Sequence, residues 1–120
     1  MLRDCGCTLP DPGSQLVDRA CEMLRSEVDQ PIRIADVAAR LGVTTRHLQK
    51  GFRRHLATTP QRFLNECRLD LARRRLQAAT KGETVTSIAL DCGFGHLGEF
   101  AIRYKKRFDE KPSQTLRECQ

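Results

Sequence analysis

Apolar residues recur at helical spacing along most of the chain, and the recurrence predicts helices separated by short turns. Leu16, Val17, Ala20, Cys21, Leu24 and Val28 follow at intervals that line one helix face. Ser14 offers a cap for this first helix, and Pro31 ends it, because the residue before a proline avoids the helical region. Ile32, Ile34, Val37, Ala38 and Leu41 make a short second helix stopped by Gly42, with Arg33 standing where Ser or Asp would cap best. Thr44 or Thr45 caps a third helix in which Leu48, Phe52 and Leu56, spaced by four, are expected to face inward together. Thr59-Pro60 opens a fourth, with Thr at the cap and Pro at the first helical position. Phe63, Leu64, Cys67, Leu71, Ala72 and Leu76 run along it to about Ala79, ahead of Lys81-Gly82. Val85, Ile88, Ala89 and Cys92 then lead to Gly93, and Phe100, Tyr104 and Phe108 are again spaced by four. After Pro112, Ser113 offers a cap for a last short helix through Leu116. No segment alternates with period two between turn signals, so no strand is expected.

Residues 34–60 and 85–112 follow one plan twice. Each has a short helix, a Gly, a turn, and a longer helix with large apolar residues at every fourth position, then a Pro. Small Ala38 and Ala89 let two helices cross closely, and Gly42 and Gly93 supply the positive φ of a sharp turn. Val43 and Phe94 are placed to plug the angle between the helices. This is the physical recipe of a helix-turn-helix, whose second helix enters a DNA major groove. The competing reading is a helical hairpin used only for packing; a duplicated unit favours the reader.

Charge points the same way. Lys and Arg outnumber Asp and Glu by 21 to 15 in 120 residues, a formal net charge of +6, which favours a polyanionic partner over plain solubility alone. Hydrophobic residues are 39% of the chain but aromatics only 5%, so aliphatic residues must supply most of the core. No apolar stretch reaches the roughly 18 residues of a membrane span, and residues 1–15 lack a signal-like apolar run. A cytoplasmic protein without membrane partner is therefore expected. Of the six cysteines, Cys21, Cys67 and Cys92 fall within apolar helical patterns, where a free thiol acts as a small hydrophobe. Cys5, Cys7 and Cys119 lie near the ends, and no Cys-x-x-Cys pair is present, so neither a metal site nor a cofactor is expected. His47 and His55 are eight apart, too far for shared ligation from one helix.

The motifs are specific enough for a resemblance. Residues 85–117, through Cys92-Gly93-Phe94, Phe100, Tyr104-Lys105, Phe108 and Pro112-Ser113, resemble the signature of the AraC/XylS family of bacterial transcription regulators. Residues 34–76 resemble its first half through Arg46-His47-Leu48-Gln49-Lys50, Phe52-Arg53 and Arg68-Leu69. The likeness covers about residues 14–118. It implies an all-α fold of seven helices, with two helix-turn-helix subdomains joined by a long linker helix. The expected division is a flexible lead-in at 1–13, a first subdomain at 14–59, the linker helix at 60–80 and a second subdomain at 81–120. A linker of ~20 residues is ~30 Å long, close to the ~34 Å between successive major grooves on one side of DNA. One chain, monomeric in this domain, is thus expected to read two turns of promoter DNA, with any dimerisation left to a domain not present. The resemblance also implies transcriptional activation and RNA polymerase as a further partner. Asp109 stands where the family usually has Gly.

With Leu48, Phe52 and Leu56 inward, the outward positions of the first recognition helix are Thr45, Arg46, Gln49, Lys50 and Arg53. Arg or Lys suits guanine O6 and N7 and Gln suits adenine, while Arg53 and Arg54 are placed for phosphates. Aligning Phe52 on Tyr104 makes the second set Leu97, Gly98, Ala101, Ile102 and Lys105, with Lys106 on phosphate and His96 as cap or phosphate contact. The family commonly has Arg at the position of Ile102; the apolar face here resembles the XylS-like branch, whose members often control aromatic-compound catabolism. Arg73, Arg74 and Arg75 on the linker helix offer either phosphate contacts or a solvated face, and at least two of them read as solvated. No assembled catalytic set or phosphate-binding glycine loop argues for an enzyme. A family repair methyltransferase needs a four-cysteine zinc domain that 13 leading residues cannot supply. A protein-docking module using Leu97, Ala101 and Ile102 is the other alternative. The Pro- and Gly-rich start is consistent with a fragment of a longer regulator, though some members are this domain alone.

Overall fold

The computed structural model describes residues 12–119, and among them the regular elements are all helices: α1 Pro12–Ser26, α2 Ile34–Arg40, α3 Thr45–Leu56, α4 Pro60–Gln77, α5 Val85–Asp91, α6 Leu97–Phe108 and α7 Pro112–Cys119. Most of the expected lead-in, with Cys5 and Cys7, lies outside the described residues. Its last two members do not: Pro12 and Gly13 belong to α1, so Ser14 sits inside the helix and not at its cap. Pro suits that position because its missing N–H is one that a first turn leaves unpaired anyway. Pro112 likewise begins α7, and Ser113 is inside it; the Gln114 side chain instead accepts from Lys111 N–H at 2.7 Å. Among the described residues, no helix is long and apolar enough to cross a membrane.

The chain divides into two compact units. The first holds the described residues up to Ser26 and Arg33–Phe63; the second holds Glu27–Ile32 and everything from Leu64 onward. In the first unit, α1 packs on α2 and α3, and α2 on α3. Val17, Ala20, Leu24, Val37, Leu48 and Phe52 are buried there, each large side chain contributing about 1.5–3 kcal/mol of transfer free energy. Phe63 meets Phe52 edge to face at 5.8 Å between ring centres. Leu56 corrects the expected inward stripe, being 43% exposed. At ~100° per residue, a four-residue step overshoots a full turn by ~40°, so Leu56 is ~80° away from Leu48 around α3.

The second unit closes around Leu69, Ala72 and Leu76 of α4, Ile88, Ala89 and Cys92, and Phe100 and Tyr104 of α6. Phe94, Phe108 and Leu116 pack against this core from its edges. Buried Tyr104 hydroxyl meets the hydroxyl of buried Thr115 at 2.7 Å, and Thr115 also bonds the Glu110 carboxylate, so α7 is pinned on α6 through satisfied polar atoms. Burial raises the Cys92 thiol pKa, which keeps it protonated and packed as a small hydrophobe.

Candidate nucleic-acid interface

The two candidate reader helices, α3 and α6, each follow the same backbone turn. After α2, Gly42 has φ +74°, its N–H donates to Ala39 O at 3.1 Å, and Val43 N–H donates to Ala38 O at 3.0 Å. After α5, Gly93 has φ +95°, with Gly93 N–H to Leu90 O at 3.1 Å and Phe94 N–H to Ala89 O at 3.0 Å. These paired bonds define a Schellman ending in each copy, and the left-handed residue requires little steric cost only from Gly. The reader helices also end alike: Ala57 after α3 and Asp109 after α6 are left-handed, at φ 54° and 58°. Asp109 therefore keeps the turn for which the family uses Gly, as a short polar side chain tolerates that region.

On α3, Thr44 accepts from His47 N–H at 3.1 Å and so caps the helix. Fully buried Leu48 and Phe52 turn the opposite side outward. Arg46, Gln49, Lys50, Arg53 and Arg54 are all exposed, and Thr45 is half-buried at the first turn. These six side chains occupy one helix and form a contiguous polar and cationic surface, because positions four apart are neighbours.

On α6, buried Phe100 and Tyr104 set the orientation. His96 occupies the N-cap without a side-chain bond to the helix, and His96, Leu97, Gly98, Ala101, Ile102, Lys105 and Lys106 are all exposed. Leu97 is 38% and Ile102 64% exposed. The neighbouring stripe is polar but engaged within the unit. Arg103 bonds Glu99 at 2.8 Å. Arg107 donates to both Asp70 oxygens at 2.9 and 3.0 Å and to Glu66 at 3.1 Å, tying α6 to α4. The Asp70 hydrogen bond raises the Arg107 pKa further above the ordinary arginine value. Among the described residues, no group of three His, Cys, Asp or Glu side chains is placed to hold a metal ion.

Two positioning side chains escaped the reading of outward faces. One is Arg107. The other is Arg68, 9% exposed on α4, which donates from Nε to Val28 O at 3.0 Å and from Nη2 to Gln30 O at 2.9 Å. Its sequence signal was a charge in the four-residue stripe Leu64, Arg68, Ala72, Leu76. Of the three linker arginines, Arg74 and Arg75 are exposed, while the Arg73 guanidinium lies over the Phe108 ring at 4.6 Å.

Comparison with known proteins follows the same lines. The helix-turn-helix domain family profile matches residues 37–118. The probable thc operon regulatory protein of Rhodococcus erythropolis is 43% identical over 103 residues, which are 85% of this chain and 31% of that protein. XylDLEGF operon transcriptional activator 2 of Pseudomonas putida is 32% identical over 105 residues, covering 87% of this chain and 67% of that protein. The other XylDLEGF operon activators are spanned over about a third of their length, 32% to 34%. The crystal structure of a probable AraC family transcriptional regulator from Rhodopseudomonas palustris CGA009 superposes with a TM-score of 0.84 at 36% identity, covering 89% of this chain and 99% of that one.

Proposed function

The chain belongs to the AraC/XylS family of helix-turn-helix regulators, and from that premise we propose that it recognises promoter DNA through two unlike reader helices and activates transcription there. The observation that carries this reading is the duplicated Schellman turn followed each time by a helix with an exposed outer face. On α3, Arg46, Gln49 and Lys50 read base edges by hydrogen bonding, and Arg53 and Arg54 hold phosphates. On α6, Leu97, Gly98, Ala101 and Ile102 face bases by contact, with Lys105, Lys106 and His96 on the backbone. The two helices occupy successive major grooves. The relatives named as XylDLEGF operon activators support the XylS-like branch and RNA polymerase as a second partner. Such a regulator has no reaction of its own and acts in the cytoplasm, where the promoter is.

The experiment is selection of bound sequences from random duplex DNA, followed by footprinting of the winner. A bipartite site protected over about two helical turns is expected from a monomer. Absence of any enriched sequence would overturn the DNA reading. Protection of one turn only would mean that a single unit docks. Transcription from the selected site with purified polymerase, with and without the protein, tests activation.

A further inference from the structure

The entry to α6 is lightly built. Gly93, Gly95 and Gly98 stand close together there, and glycine restricts its own backbone least. His96 at the N-cap makes no side-chain bond to the helix. A Cβ built on Gly95 or on Gly98 would meet nothing within 4 Å. A cavity of about 140 Å³ opens beside this segment, with Gly95, His96 and Glu99 among its lining. At Gly93 the surroundings change: a Cβ there would come within 2.8 Å of Arg68 Nε and 3.1 Å of Cζ. Arg68 stands on α4 and is itself held, donating from Nε to Val28 O at 3.0 Å and from Nη2 to Gln30 O at 2.9 Å. Arg68, both carbonyls and all of α6 belong to the second unit. Phe94 and Phe100, with ring centres 4.7 Å apart, supply apolar packing at this end, but what faces the turn backbone at Gly93 is the guanidinium. The other end of α6 is anchored differently. Arg107 bonds Asp70 and Glu66 of α4, Tyr104 meets Thr115 of α7, and Arg73 lies over Phe108.

We propose that Arg68 is a positioning residue for the first turn of α6, and that it thereby sets base discrimination by Leu97 and Gly98 but not by Ile102. This rests on the DNA-binding reading above. A recognition side chain discriminates only where its backbone is held to about 0.5 Å. Two carbonyls fix the plane of the Arg68 fork, and that fixed plane lies against the Gly93 turn. A lysine would bring the charge as a compact point, without the planar fork. Burial lowers the Arg68 pKa, but an arginine stays charged at neutral pH, so both donor bonds persist there. Without the fork, the glycines and the cavity leave the first turn room to shift, while the contacts of Tyr104, Arg107 and Phe108 keep the last turns in place.

The test is a scan of single base-pair replacements across the selected duplex, read as the ratio of affinities for the original and the replaced pair. Leu97→Ala and Ile102→Ala identify the base pairs that each end of α6 reads. In the wild-type chain a replaced pair is expected to weaken binding about 5- to 150-fold. Arg68→Gln is expected to bring that ratio near unity at the pairs assigned to Leu97, and to leave it unchanged at those assigned to Ile102 and at the half-site under α3. Arg68→Lys should lie between. Arg107→Gln should do the reverse, lowering the ratio at the Ile102 pairs and sparing the Leu97 pairs. Should Arg68→Gln fail to melt cooperatively, Arg68→Lys decides; if neither melts cooperatively, Arg68 is a folding residue and the proposal falls. Undiminished ratios at the Leu97 pairs in a folded variant overturn it, as does the absence of any base pair that answers to Leu97→Ala. So does an equal fall at every base pair, which would make Arg68 a stabilising residue only. A wild-type chain without base-pair preference anywhere would instead overturn the DNA reading itself.

Discussion

Gly42 and Gly93 share a turn but not an environment, and alanine substitutions separate the two. Gly42→Ala should cost about 1–2 kcal/mol, the price of a Cβ in the left-handed region. Gly93→Ala should cost more, by about 1–3 kcal/mol of overpacking, because Arg68 is bonded on two sides and cannot swing away. Urea denaturation of both variants measures the difference, and equal losses would show that the Arg68 side chain yields. On α3, Arg46→Ala or Lys50→Ala should weaken the cognate complex by about 1–3 kcal/mol if either makes a bidentate base contact. Discrimination at particular base pairs should relax with it. A fall of the same size on random DNA would move that side chain from base to phosphate. Residue identities at these exposed positions were legible from spacing alone, because buried Leu48 and Phe52 leave only one side of α3 for them. Arg68 was not, since its partners are backbone carbonyls 38 and 40 positions away that no local pattern announces.

Between elements, the contrast lies in the two reader helices. The α3 face carries directional donors, whereas α6 offers Leu97, Gly98, Ala101 and Ile102, with Glu99 and Arg103 bonded to each other and Arg107 to α4. Apolar side chains in a major groove can still meet thymine methyl groups. The half-site under α6 should therefore favour A·T pairs and lose affinity when thymine is replaced by uracil, while the α3 half-site tolerates that replacement better. A scan of single replacements across the selected site measures this. A second half-site indifferent to uracil but strict for G·C pairs would assign the reading to His96, Glu99 or Arg103. The helices themselves were readable to within two residues at most ends. The misplaced starts, Ser14 and Ser113 for Pro12 and Pro112, share one cause: a proline at the first helical position moves the boundary past a residue that otherwise looks like a cap.

For the molecule as a whole, a formal charge of +6 and the cations on both reader helices predict binding dominated by phosphate contacts. If about 6–10 phosphates are neutralised, affinity should fall roughly 10³–10⁵-fold between 50 and 200 mM salt. Titrations across that range give the slope, and a flat response would count against a nucleic-acid partner. What the sequence by itself determined is whatever depends on neighbours along the chain. Helical periodicity, the glycine that a left-handed turn requires, the Thr44 cap and the repetition of one plan all act over a few residues, and each can be read where it stands. Tertiary structure decided the rest. It left Leu56 exposed, because a four-residue repeat drifts around the helix until the core no longer reaches it. It placed Arg73 on the Phe108 ring, left Arg74 exposed and set the exposed Arg75 3.8 Å from the Asp91 carboxylate, although the three are identical neighbours in sequence. And it gave Arg68 its buried partners, because a charge is stable inside a protein only where distant backbone happens to complete its hydrogen bonds.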